Sequence, residues 1–252
     1  AIAPTTLAIT AAGLVISATP ADGAGTPIVS TAKAEAASGA AGGVSIAGSV
    51  AIALVDHETE AALLGRANLG VQGGGDLTIT AGSNAATVVQ ALPVGDGVGG
   101  TSVGVGVSFG LAIIDSTTSA AIGDGVAIDG LRNASLTANA ISRAEVTARM
   151  GAKLSDGGSV AVTPAVAIAL STVESAARIG KGSLALAGSL VLDATLAASA
   201  KTDADAATSG AGSAAVGFGL GLSIGNHSVT ASLARNVTAG ADVTLRASGA
   251  SS

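Results

Sequence analysis

His57 and Glu58 stand side by side after the apolar run VAIALVD, and an imidazole next to a carboxylate is raw material for a general base or a metal site. A second histidine, His227, follows the comparable run GLGLSIGN. The residues at the matching places in between are Ser116-Thr117 and Val173-Glu174, so the pair is not a repeated site, and two repeats separate the histidines. Both histidines are expected at surface or turn positions, because a metal centre needs several converging ligands. Of the nearby acids Glu58, Glu60 and Glu174, only Glu58 and Glu174 share a register. Neither has a sequence neighbour of contrasting environment that would set up a carboxylate pair with divided acid and base roles.

The aspartates suggest calcium before they suggest catalysis. GDG occurs at 95–97 and 123–125 and GGGD at 73–76. A calcium-binding β-roll repeats its glycines and aspartates every nine residues, whereas these are isolated and read as turns. NAS (133–135), NHS (226–228) and NVT (236–238) match the glycosylation tripeptide, a common accident in Ser- and Thr-rich sequence. No GxSxG, HExxH, Walker or dinucleotide signature is present. The residues therefore predict no catalytic set, no metal site and no cofactor, and the chain reads as a non-enzyme.

What must be positioned is instead a set of long strands. In SVGVGVSFGLAIID (102–115), Val103, Val105, Val107, Phe109, Leu111 and Ile113 alternate mostly with Gly and Ala, a period of two. Three relatives exist: SVAIALVDHETEAAL (49–63), PAVAIALSTVESAARI (164–179) and GLGLSIGNHSVTASL (219–233). With Asp56, Asp115, Thr172 and Asn226 as equivalent anchors, the separations are 59, 57 and 54 residues. Five residues beyond each anchor stands Ala61, Ala120, Ala177 or Ala231, and seven beyond stands Leu63, Ile122, Ile179 or Leu233. A shorter Thr- and Leu-rich piece follows in each copy: GGDLTITAGS, RNASLTANA, GSLVLDATLA and ADVTLRASG.

Four copies at such a period predict an all-β parallel solenoid, a β-helix whose equivalent strands stack about 4.8 Å apart. A propeller wants four short strands per blade, and separate sandwiches of this size would lack a sufficient core. The expected organisation is a preceding repeat's tail over 1–30, then repeats over 31–84, 85–140, 141–199 and 200–252 in one continuous solenoid. Whether a repeat makes one coil or two is open. Alanine-rich TAKAEAASGA (31–40) and KTDADAATSGA (201–211) compete as helices, but the alternation in the related SRAEVTARMG favours strands. The eight Ala and Leu/Ile positions are expected to stack as interior ladders. The four anchors are expected at strand ends, where short polar side chains bond to turn amides. The long strand, nearly bare on one side, is expected to be buried on both.

Composition narrows the partners. Hydrophobic residues make up 48% of 252 and charged ones 11%, with net charge −6, 37 Gly, two Phe and no Tyr, Trp or Cys. Intrinsic disorder needs the opposite balance. Eleven Lys and Arg in no cluster, without aromatic platforms, argue against nucleic acid. No apolar run reaches the ~18 residues of a spanning helix, and two Phe cannot supply the aromatic girdles of an outer-membrane barrel. The start, AIAPTTLAIT, has neither Met nor a basic leader and reads as part of something longer.

VGVGVSFGLAIIDSTTSAAIGDGVAIDG (103–130), with GGGDLTITAGS (73–83), resembles the repeat region of giant secreted bacterial surface proteins, the filamentous-haemagglutinin-like and leukotoxin-like adhesins. The resemblance spans nearly the whole chain as a pattern of small residues. It implies a right-handed parallel β-helix, display outside the cell or on the bacterial surface, and a structural stalk or filament role of the kind found in adhesion and biofilm matrix. The partners implied are adjacent repeats of a longer chain, with end-to-end and lateral self-assembly both open. The rival is a polysaccharide-processing β-helix enzyme or a carbohydrate-binding passenger domain.

Overall fold

A computed structural model of the protein describes residues 8–19, 26–39, 43–65, 67–100 and 102–252. The strands are β1 (Ala8–Ala11), β2 (Leu14–Ala18), β3 (Ile28–Gly39), β4 (Val44–Leu63), β5 (Asn68–Val71), β6 (Leu77–Gly100), β7 (Val103–Ile122), β8 (Ala127–Asp129), β9 (Ala134–Ile179), β10 (Ser183–Leu186), β11 (Leu190–Leu233), β12 (Asn236–Ala239) and β13 (Val243–Ser251). Every pairing between them is parallel, and among the described residues there is no helix. The two alanine-rich candidates for helix lie in strands β3 and β11, with residue 40 of the first outside the described residues.

The chain is a parallel β-solenoid. Val44 pairs with Val103, Val103 with Val160 and Val160 with Ala214, steps of 59, 57 and 54 residues. Leu77 pairs with Ala134, Ala134 with Leu190 and Leu190 with Val243 in the same manner. One repeat is therefore one coil. Residues 8–18 pair under the second coil through β1–β5 and β2–β6, while residues 1–7 and 20–25 of the expected tail lie outside the described residues.

Each coil has three walls. The first is short (β1, β5, β8, β10, β12), the second runs through β2, β3, β6, the first half of β9, the first half of β11 and β13, and the third through β4, β7 and the second halves of β9 and β11. Where all three meet, Leu69, Leu77, Ile79, Ile122, Leu136, Ile179 and Leu190 fill the interior. Farther along, only the second and third walls face each other, and the interior shrinks to Ala51, Ala112, Ala165 and Ala167 against Val89, Val146 and Ala148. The cross-section is thus a wedge, wide at the Leu/Ile end and narrow at the Ala/Gly end.

The narrow end dictates which side of the long strand faces in. A Cβ on Gly106 would lie 2.5 Å from Met150 Cγ, and one on Gly217 would lie 2.6 Å from the carbonyl oxygen of Ala206. Ordinary carbon contacts are ~3.5–4.0 Å, so nothing larger fits without moving a wall. The bulky side accordingly points to solvent: Ile46 is 69% exposed, Leu54 73% and Val107 42%. This corrects the expectation of burial on both sides. Val89, Val98, Val146 and Met150 of the second wall already fill the gap, so the third wall can turn only small residues toward it, and the phase of its alternation is the reverse of the usual bulky-inside arrangement.

Hydroxyls share the interior and tie the walls together. Ser49 and Ser108 approach to 2.6 Å, Ser108 donates to the Ala91 carbonyl at 2.9 Å, and Ser83 meets Thr118 at 2.6 Å. A buried, satisfied hydrogen bond of this type contributes ~1 kcal/mol. Differences in repeat length are taken up at the narrow end, where register shifts occur between Ala36 and Ser38, Ala91 and Val98, and Ser209 and Ala214. Pro164 has no N–H to donate, and the β7–β9 ladder passes from Val105–Val162 to Ser108–Ala165 across it.

Candidate functional site: the outward faces of the coil

Asp56, Asp115, Thr172 and Asn226 occupy one column, each paired with the next. They stand inside β4, β7, β9 and β11 with exposed side chains, not at a turn. The odd residues of β4 face inward and the even ones outward from Ser45 to Leu63 without a break, so the chain makes no corner at Asp56 that would need capping. The Ala61–Ala120–Ala177–Ala231 and Leu63–Ile122–Ile179–Leu233 columns face inward. Their first three members are buried, and Ala231 and Leu233 are partly buried in the last coil.

Strand geometry separates the residues that looked chemical. His57 is half-buried and faces inward, whereas Glu58 faces outward and is exposed, because consecutive residues of a strand point to opposite sides. His57 and His227 share a column with Ser116 and Val173 between them, which puts them about 14 Å apart at three strand spacings. His227 Nε2 lies 3.4 Å from Ser171 Oγ. Glu174, in the column of Glu58, is ion-paired to Arg178. Among the described residues no three His, Asp or Glu side chains gather around one point. Gly73 and Gly125 adopt φ of +73° and +71° in turns, so these Asp-Gly and Gly-rich pieces serve the backbone.

The polar ladder that does cap the coil lies elsewhere, just before the second wall. The Asp76 carboxylate accepts from Arg132 Nε and Nη2 at 3.2 and 3.1 Å, from the Asn133 backbone N–H at 3.2 Å and from Asn133 Nδ2 at 2.9 Å. Asn133 Oδ1 in turn accepts from the Ser189 N–H at 2.9 Å. The Arg132 hydrogen bond, joined by those of Asn133 and opposed by partial desolvation, holds the Asp76 carboxyl below the usual range. At another corner Arg235, 7% exposed, donates from Nε to Gly180 O (2.8 Å), from Nη2 to Gly123 O (3.0 Å) and from Nη1 to Val126 O (3.3 Å). One guanidinium thereby clamps three coils, and its burial lowers the pKa from the ordinary arginine value. The signal for the Asp76 ladder was present in the sequence: Asp76, Asn133, Ser189 and Asp242 each immediately precede a short strand piece.

The two long outer faces differ in kind. The second wall displays Lys33, Glu35, Arg143, Glu145, Arg149, Lys201 and Asp205, with Arg149 and Asp203 paired at 2.6 Å. The third wall carries no charge over 44–54, 103–113, 160–170 or 214–224. Its six outward columns there hold Val, Ile, Leu, Phe or Pro at every position except Gly48 and Ala214. In the last coil Phe218 is 54% exposed. A contiguous apolar face of this sort is the surface feature most in need of a partner. No family model, curated protein or solved structure matches this chain.

Proposed function

We propose that this chain is part of a non-catalytic shaft in a bacterial surface adhesin or extracellular filament. The observation that carries the reading is the third wall, whose ladder holds one register from Val44–Leu63 through Val103–Ile122 to the end of β9 and on through Ala214–Leu233 of β11. A coil whose equivalent positions superpose extends by about 4.8 Å per repeat for as many repeats as are present, which is what a spacer requires. The adhesin-like pattern of small residues adds display at the cell surface or in the surrounding matrix. Neighbouring repeats of a longer chain would stack on the outer edges of β4 and the last stretch of β11, each of which pairs on one side.

Electron microscopy of the purified 252-residue chain, together with turnover assays on acidic polysaccharides, tests this reading. Thin slabs, about 19 Å along the coil axis and longer across it, or axial filaments of such slabs stacked on one another, are expected without turnover. A compact closed particle that cleaves glycans would replace the shaft with the β-helix enzyme.

A further inference from the structure

We propose that the apolar outer face of the third wall is a self-association surface, on which a second copy of this chain packs sheet against sheet with both coil axes pointing the same way. The proposal rests on the shaft reading and names its partner. Three observations lead to it: the size of the face, the chemistry of its surroundings, and the placement of charge along one side.

Size comes first. From Val44 to Leu54 the strand advances about 33 Å, and four stacked strands span about 19 Å, so the face measures about 600 Å². The largest apolar patch on a typical monomer is about 300–600 Å². Two such faces in contact would remove about 1,200 Å² from water, above the roughly 1,000 Å² that a specific interface needs. A second copy also presents columns at the same spacing along and across the strands, so ridges of Val, Ile and Leu can interdigitate as in a sheet sandwich.

The surroundings argue against a lipid surface. Interfacial membrane elements flank their apolar side with Lys, Arg, Trp or Tyr. Here the next outward columns carry Asp56, Glu58, Glu60, Asp115 and Glu174, and the chain contains no Trp or Tyr. Anionic headgroups would be repelled, whereas another copy need only keep its own acidic strip away.

That requirement selects the orientation. With the coil axes opposed, a two-fold along the strands brings both acidic strips to the same side of the pair. With the axes aligned, the two-fold runs along the coil, the facing strands are antiparallel, and the strips lie on opposite sides. The second arrangement separates the carboxylates by about the width of the face.

Sedimentation velocity of the 252-residue chain across the micromolar range is the test, beside a variant carrying Ile52→Lys, Leu111→Lys, Ile168→Lys and Leu222→Lys in one outward column. The native chain is expected to dimerise and the variant to bind itself at least 100-fold more weakly with an unchanged β-type circular dichroism spectrum. A native chain that stays monomeric, or a variant that dimerises as well, overturns the proposal. A monomeric chain that still stacks end to end would defeat the pairing and leave the shaft standing. Flotation of a monomeric chain with phosphatidylcholine or phosphatidylserine vesicles would assign the face to lipid and also overturn it. Cysteine trapping tests orientation and does not depend on the lysine variant folding, since the chain has no cysteine of its own. A mixture of Val44→Cys and Leu54→Cys chains is expected to cross-link, whereas linkage of Leu54→Cys to Ile224→Cys instead would refute the aligned axes.

Discussion

Gly106 and Val107 are neighbours in sequence and opposites in the structure, so a pair of substitutions tests the facing of the third wall. Gly106→Val puts a Cβ 2.5 Å from Met150 Cγ, 2.8 Å from Met150 Sδ and 3.0 Å from Val98 Cγ2, before its two methyl groups are counted. Met150 is 1% exposed and Val98 fully buried, so neither can swing into water. Overpacking of this kind costs ~1–3 kcal/mol, and the clash here belongs at the upper end. The better strand propensity of Val returns at most ~1 kcal/mol, leaving a net loss of about 2 kcal/mol. For a chain of this size that lowers Tm by roughly 4–8 °C. Val107→Thr keeps the shape at a position 42% exposed and is expected to stay within ~0.5 kcal/mol of the native chain. Thermal unfolding followed by circular dichroism reads both. If Val107→Thr proves costlier than Gly106→Val, the strand is phased the other way and the bulky residues lie inside.

Arg235→Ala removes three carbonyl contacts made by one charged donor and is expected to cost ~1.5–3 kcal/mol in urea unfolding, with Arg235→Lys recovering only part because an ammonium cannot span the same fork. The depressed Asp76 carboxyl stabilises the fold above the ordinary carboxylate pKa, and that contribution disappears as pH falls through the lower folded-state value. Asp76→Asn should therefore flatten the acid side of the stability–pH curve below about pH 4 while changing its slope little near neutrality, and an unaltered acid limb would refute the role given to Arg132.

The stacking register could be read from the chain because Ala61, Ala120, Ala177 and Ala231 recur at matched distances from comparable apolar runs, and a coil must superpose such positions. The facing could not. Strict alternation specifies two sides without saying which is inside, and the habit of placing Val and Leu inward fails when two walls approach to the contact distance of Gly106 and Met150. Asp56 and its column have the sequence signature of turn residues, short polar side chains following apolar runs, yet they sit on an open strand. The capping ladder is hard to read because its members, Asp76, Asn133 and Ser189, differ in type and are united only by position before the second wall. Arg235 was invisible for a different reason: a lone arginine shows its worth only when Gly123, Val126 and Gly180 bring three carbonyls within its reach.

The one-coil repeat has a mechanical consequence. About 57 residues are wound into each step of the solenoid, while the step itself is only about 4.8 Å high. Drawn out straight, that much chain reaches about 190 Å. A pull on the ends of such a solenoid meets an almost inextensible stack until a terminal coil peels away, and each coil released then supplies some forty times its resting height. Loss of one coil leaves the next as a new end with the same parallel ladder beneath it. The solenoid can therefore yield under load by releasing length in discrete instalments, with a spacing near 190 Å expected in single-molecule extension, and shorten again as coils rewind on the template of those still folded.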